Sequence, residues 1–169
     1  MDRPAAPAVV ARRRTSGTMC SDSPEATLLI GRLLGAAACA ATTIALVGPL
    51  GAGKTQLAKG VAEGLGVRSV VNSPTYILMN EHPGRLRLFH IDAYRLGEPE
   101  DAIAAGLLDE RQADGVTVIE WADRLDGALP EDRLEIELVP DRDGAEGRQL
   151  RWTAHGDLHA RLAAEALAP

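Results

Sequence analysis

The sequence predicts an α/β domain whose sheet is parallel around one glycine-rich loop, is extended by antiparallel strands, and carries helices on both faces. Three observations lead there. The stretch Gly48-Pro-Leu-Gly-Ala-Gly-Lys-Thr55 lies between the apolar run 44–47 and a helical pattern that begins at Gln56. Val116-Thr-Val-Ile119 is a short apolar run of the kind that forms a buried parallel strand. Leu134-Glu-Ile-Glu-Leu138 alternates, which marks a half-exposed strand, and residues 149–154 are its hairpin partner across a Gly/Asp-rich turn at 141–147.

The totals narrow the class. A chain of 169 residues fits one domain with a real core, and with 46% hydrophobic but only 3% aromatic residues that core is built from Leu, Val, Ile and Ala. A net charge of −6 excludes a protein that grips nucleic acid by a broad basic surface, though not a subunit of an assembly in which another chain does so. Cys20 and Cys39 form no C-x-x-C pair and cannot furnish a four-ligand zinc site. Cys39, in an Ala-rich helical run, reads as a small buried apolar side chain. A reduced, cytoplasmic setting is the expectation. No apolar run approaches the ~20 residues that span a bilayer.

In order along the chain, residues 1–18 hold two prolines and Arg12-Arg13-Arg14, with no export signal that fits their order. They read as a disordered extension or as sequence upstream of a start at Met19, so residues 1–20 are set apart from a single domain over 21–169. Ser23-Pro-Glu opens a helix with a cap serine and an N-terminal proline. Its core face is expected to carry Leu29, Leu33, Leu34 and Ala37, ending near Ala41. Residues 42–47 form the strand that feeds the loop, and the next helix runs from Gly53 to about Leu65, stopped by Gly64 and Gly66. Two β-type runs, 72–79 and 86–91, flank His82-Pro-Gly84 and read as an antiparallel hairpin. Glu98-Pro-Glu-Asp101 starts a helix with Ala102, Ile103 and Leu107 facing the core. Residues 157–167 close the chain with a helix.

The loop carries the chemistry. G-x-x-x-x-G-K-T between a strand and a helix is a phosphate cradle: glycines permit the tight turn, backbone N–H groups converge on one anion, and the helix N-terminus adds its positive end. Lys54 would reach the outer phosphates, and the Thr55 hydroxyl would sit on Mg²⁺. Lys54 is one of only two lysines beside 16 arginines. A compact ammonium fits this cradle where a planar guanidinium would not. Such a site needs an acid at the end of a neighbouring strand, and Asp92 and Glu120 both qualify. Mg²⁺ keeps most of its waters, so Thr55 and one carboxylate suffice. The other acid could act through a metal-bound water or orient the attacking water, and the sequence does not divide these roles. His90 reads as a packed sheet histidine rather than a metal ligand with Asp92. His155 and His159 read as surface residues. Trp121 could stack on a base or pack in the core.

These segments together resemble one family. The glycine-rich loop, Ser73-Pro-Thr-Tyr76, His90-Ile-Asp-Ala-Tyr-Arg-Leu96, Ile119-Glu-Trp121 and Glu146-Gly-Arg148 are similar, in order and spacing, to the bacterial tRNA threonylcarbamoyladenosine biosynthesis ATPases of the TsaE (YjeE) family. The resemblance spans residues 23–155. It implies a P-loop NTPase fold and an ATP- and Mg²⁺-dependent ATPase that works with two partners of the TsaB and TsaD type. That complex places a threonylcarbamoyl group on the adenosine beside the anticodon in tRNAs reading codons that begin with A. This subunit would meet tRNA only through its partners. Carried over by position, Gly51, Ala52, Gly53, Lys54, Thr55 and Gln56 wrap the phosphates, and Thr55 and Glu120 serve Mg²⁺. Asp92 contacts the nucleotide–metal site, residues 73–76 form a switch segment, and Gly147 and Ser23 lie near the base. Pro49 departs from the family's usual polar residue and removes one N–H ahead of the phosphate-wrapping glycines.

Two other functions fit a P-loop. A small kinase of a nucleoside or metabolite would need an acceptor pocket and an arginine-rich lid, for which Arg85 and Arg87 are the only candidates. A nucleotide-gated binding module would need no hydrolysis. A guanine-specific GTPase is excluded, because Asn-Lys-x-Asp cannot occur after Lys59, the last lysine. No arginine finger can be assigned from the sequence, so hydrolysis by the isolated chain is expected to be slow.

Overall fold

The computed structural model describes residues 13–141 and 146–167. Its centre is a seven-stranded sheet of strand order β1-β7-β6-β2-β5-β4-β3. The strands are β1 (Arg14–Ser21), β2 (Thr42–Val47), β3 (Met79–His82), β4 (Leu88–Asp92), β5 (Val116–Glu120), β6 (Arg133–Pro140) and β7 (Arg148–His155). β2 runs parallel to β5 and β6, and β4 runs parallel to β5. The outer pairs β1–β7, β6–β7 and β3–β4 are antiparallel. The expected parallel centre with antiparallel additions is therefore present.

Pleat parity divides the core in two. Ile44 and Leu46 of β2, Val116 and Val118 of β5 and Leu134, Ile136 and Leu138 of β6 pack under helices α1 (Pro24–Ala37), α2 (Lys54–Gly64) and α4 (Asp157–Ala166). Ala45, Ile91 and Ile119 face the other way, against Ala102 and Leu107 near helix α3 (Pro99–Ala104) and against Ala122 and Leu125 of a short 3-10 turn. His90, Asp92 and Glu120 share the parity of Leu88 and Val118, so they lie on the α2 side of the sheet.

The helix α1 differs from expectation. Its buried stripe is Thr27, Ile30, Gly31, Leu34 and Gly35, while Leu29 and Leu33 are half exposed. The reason is a close helix pair. A Cβ on Gly31 or Gly35 would strike the carbonyls of Leu57 or Val61, and one on Gly60 or Gly64 would strike those of Leu28 or Arg32. Backbone meets backbone here, and hydrophobicity alone points to the leucines instead.

Four further expectations are corrected. Residues 14–20, set apart from the domain, belong to edge strand β1, whose Gly17 lies opposite Trp152 and beneath its indole ring. Residues 1–12 lie outside the described residues. Cys39 is exposed, because α1 ends at Ala37 and Cys39 lies in the link to β2. The hairpin forms, but its first strand is Met79–His82; residues 72–74 take no regular structure and residues 75–77 form a turn. Ile103 of α3 is 60% exposed, whereas Ala102 and Leu107 are buried.

Candidate functional site

Register brings the candidate residues to one sheet edge. Leu46 of β2 pairs with Glu120 of β5, and Glu120 pairs with Asp92 of β4. The carboxyl ends of three parallel strands therefore line up where β2 enters the glycine-rich loop, as ligand sites in open α/β sheets do. Gly53 caps α2 with φ 104°, a left-handed conformation that favours glycine. At Gly51, φ is 76° and an added Cβ would meet nothing within 4 Å, so the loop opens towards free space there. A cleft of about 400 Å³ results, lined by Leu50, the loop from Gly51 to Thr55, Ser73, Thr75, Asp92, Tyr94, Glu120 and Trp121.

The polar groups of the cleft bond to one another. Lys54 Nζ donates to Gly48 O at 2.6 Å and to Pro49 O at 2.8 Å. It also sits 3.7 Å from the centre of the Trp121 ring, which itself lies 4.9 Å from the Tyr94 ring. Burial pushes the Lys54 ammonium below its ordinary pKa, and the carboxylates of Glu120, Asp123 and Asp92 pull it back up. Trp121 reaches this position through a left-handed residue, φ 59°, immediately after β5. For a bulky side chain that is rare and costs strain, as functional turns often do.

Each carboxylate is held from several sides. Thr55 Oγ1 donates to Glu120 Oε2 at 2.7 Å, and His90 Nε2 lies 2.7 Å from Glu120 Oε1. His90 is fully buried, so the imidazole fixes the carboxylate from within the sheet. Asp92 Oδ2 accepts from Ser73 Oγ and, at 2.7 Å, from Thr75 Oγ1, while Asp92 Oδ1 accepts from the Tyr94 N–H at 2.9 Å. The segment after α2 is thus tied to the end of β4 through Asp92. Arg95 stacks on Tyr76 at 4.1 Å and joins the same two loops at the rim.

A Mg²⁺-bound nucleotide fits this donor set. Backbone N–H groups at a helix N-terminus, an ammonium and a hydroxyl–carboxylate pair are the groups that phosphate oxygens and a hard divalent ion require. Among the described residues no group of three or more His, Cys, Asp and Glu side chains gathers.

The family described as "Threonylcarbamoyl adenosine biosynthesis protein TsaE" matches residues 21–150. The chain belongs to the TsaE family. It is 39% identical over 144 residues to the tRNA threonylcarbamoyladenosine biosynthesis protein TsaE of Bacillus subtilis, covering 85% of this chain and 89% of the relative. It is 41% identical over 112 residues to that of Streptomyces coelicolor, covering 64% and 76% respectively. The crystal structure of Bacillus subtilis YdiB superposes with a TM-score of 0.74 at 31% identity, covering 92% of this chain and 96% of that one.

Within this TsaE-family fold, most but not all of the expected site residues converge. Gly51 to Thr55, Asp92 and Glu120 line the cleft, but Gln56, Ser23 and Gly147 do not. Ser23 caps α1, its Oγ accepting from the Ala26 N–H at 3.1 Å. Gly147 packs beside Asp141 and the carbonyl of Ser21. Four side chains escaped the sequence reading in these roles: His90 as the partner of Glu120, Ser73 and Thr75 as partners of Asp92, and Arg148 against the loop. The parity of His90 and Glu120 on adjacent strands was the only local signal for the first. His159 also differs from expectation. It is buried, and its Nε2 accepts from the Thr43 N–H at 3.0 Å. Burial holds the His159 pKa down from its ordinary 6.5.

Proposed function

We propose that this chain is a Mg²⁺-dependent ATPase of the cytoplasm, acting in a complex with two partners of the TsaB and TsaD type that installs threonylcarbamoyladenosine in tRNA. The observation that carries the reading is the convergence of the glycine-rich loop, Thr55, Glu120 and Asp92 on one cleft at the sheet edge. Among the described residues no helix is long and apolar enough to cross a membrane.

On this reading Lys54 gives up the carbonyls of Gly48 and Pro49 and turns its ammonium to the outer phosphates. Thr55 and Glu120 hold Mg²⁺, with His90 keeping the glutamate in one orientation. Bound Mg²⁺ supplies charge neutralisation at the phosphate oxygens. Asp92 holds the segment 73–76 at the rim through its serine and threonine hydroxyls, so a change at the nucleotide reaches the exposed Tyr76 and Ile77. Those two side chains are 83% and 71% exposed and are available to a partner.

A kinase reading is disfavoured by the two arginines it would need. Arg85 Nη2 donates to the carbonyls of Gly35, Ala36 and Ala38 at the end of α1, and Arg87 pairs with Glu81 at 3.1 Å. Neither lines the cleft. The deciding experiment is ATP turnover by the full chain, with and without the two partners and tRNA, with Lys54→Ala as the inactive control. Phosphate release that is slow alone and rises with partners and tRNA is the expected result. A phosphorylated metabolite would transfer the protein to the kinases, and ATP binding without hydrolysis in any mixture would make it a nucleotide-gated module.

A further inference from the structure

Arg148 opens β7, and its guanidinium crosses to the glycine-rich loop. Its Nη1 lies 3.3 Å from the carbonyl of Ala52, and a Cβ on Gly53 would come within 2.5 Å of that same nitrogen. The absence of a side chain at Gly53 is what lets a guanidinium lie against the loop there. Its Nη2 donates to the carbonyl of Glu146, in the turn that precedes β7. Its Nε is buried and has no hydrogen-bond partner among the described residues. Both acceptors are neutral, and among the described residues no carboxylate forms an ion pair with Arg148.

Arg85 also donates to backbone carbonyls, those of Gly35, Ala36 and Ala38, but other arginines are paired with acids. Arg32, Arg87, Arg111, Arg133 and Arg151 each face a carboxylate. Lys54, the other cation at the loop, is balanced by Glu120, Asp123 and Asp92. Among the described residues, the β7 side of the loop therefore holds a positive charge with no ion-paired carboxylate and one idle donor. A buried donor without an acceptor is costly, and a cation beside a helix N-terminus is repelled by the positive end of the dipole. An incoming polyanion reverses both penalties at once.

We infer that Arg148 is a phosphate-binding residue of the nucleotide site, acting on the phosphate chain from the β7 side while Lys54 acts from the β5 side. The inference rests on the reading of the cleft as an ATP site.

The test is equilibrium binding of Mg-ADP to the full chain by titration calorimetry for wild type, Arg148→Ala and Arg148→Gln, with melting temperatures taken without nucleotide. Expected is a loss of about ten- to a hundredfold in affinity for both variants, shrinking as salt is raised, in proteins that melt cooperatively. Labelling of Arg148 in the wild type by a dicarbonyl reagent, read by mass spectrometry, needs no variant and should slow at saturating Mg-ADP. Unchanged affinity in either folded variant, a loss insensitive to salt, or equal labelling with and without Mg-ADP would each overturn the assignment. Failure of the wild type to bind Mg-ADP or Mg-ATP at all would instead sink the reading of the cleft itself.

Discussion

Thr55 and Glu120 stand 65 residues apart in the chain and share a hydrogen bond of 2.7 Å between hydroxyl and carboxylate. The bond holds the two groups side by side in the wall of the cleft, where they would hold Mg²⁺. Glu120→Gln preserves the shape and removes the charge. ATP hydrolysis by the reconstituted complex should fall by about a hundredfold or more, with nucleotide binding kept within a few-fold. Phosphate release under saturating ATP reads the outcome, and unchanged turnover would remove Glu120 from the machinery.

His90 acts through Glu120, because its Nε2 meets Glu120 Oε1 while Thr55 occupies Oε2. Losing the imidazole frees the carboxylate to rotate inside a buried site. His90→Ala should raise the Mg²⁺ concentration needed for half-maximal turnover by about ten- to a hundredfold, a typical effect of removing a group that orients a metal ligand. His90→Gln, which can still donate to the carboxylate, should recover part of that. If both variants lower maximal rate equally without moving the Mg²⁺ dependence, His90 is a packing residue only.

His159 gives the fold a pH dependence of known sign. Its Nε2 accepts from the buried Thr43 N–H, which requires the neutral ring, and burial lowers its pKa in the folded state against some opposing pull from Asp132. The unfolded chain therefore takes up the proton first as pH falls below 6.5. Stability from this group is fully present above that value and is lost as pH falls through the depressed folded pKa. Urea midpoints between pH 8 and pH 5 should drop in the wild type and drop less in His159→Gln. The variant should also be less stable by about 1–3 kcal/mol at pH 8 if the amide cannot reach Thr43. Parallel profiles for the two proteins would refute the assignment.

How much of this was legible beforehand follows from the range of each interaction. The loop, Asp92 and Glu120 could be read because each is a local pattern, a strand followed at once by the residue that matters. The partners of those acids could not, since His90 with Glu120 and Thr75 with Asp92 depend on register between strands and on a turn that follows no period. Edge strand β1 was missed for want of apolar residues: Thr15, Gly17 and Met19 face the core side, and Trp152 supplies the apolar cover from β7. His159 looked like a surface residue because its partner lies 116 residues away.

The face of α1 was misread for a reason that makes its own prediction. Gly31 and Gly35 meet Gly60 and Gly64 of α2 so closely that an added Cβ at any of the four would collide with main-chain atoms. In a solvent-exposed helix, Gly→Ala stabilises by about 1 kcal/mol through backbone entropy. At Gly60 the methyl group would instead drive into the Leu28 carbonyl and the Gly31 Cα, neither of which is the end of a flexible side chain. The helices must separate, and overpacking of this kind costs about 1–3 kcal/mol, sometimes more. Gly60→Ala should therefore lower the melting temperature by several degrees, at roughly 2–4 °C per kcal/mol for a domain of this size. Because α2 begins at Lys54, the shift should also loosen the loop and weaken Mg-ATP binding. A variant that melts at or above the wild-type temperature would mean that the helix pair is not packed through its glycines.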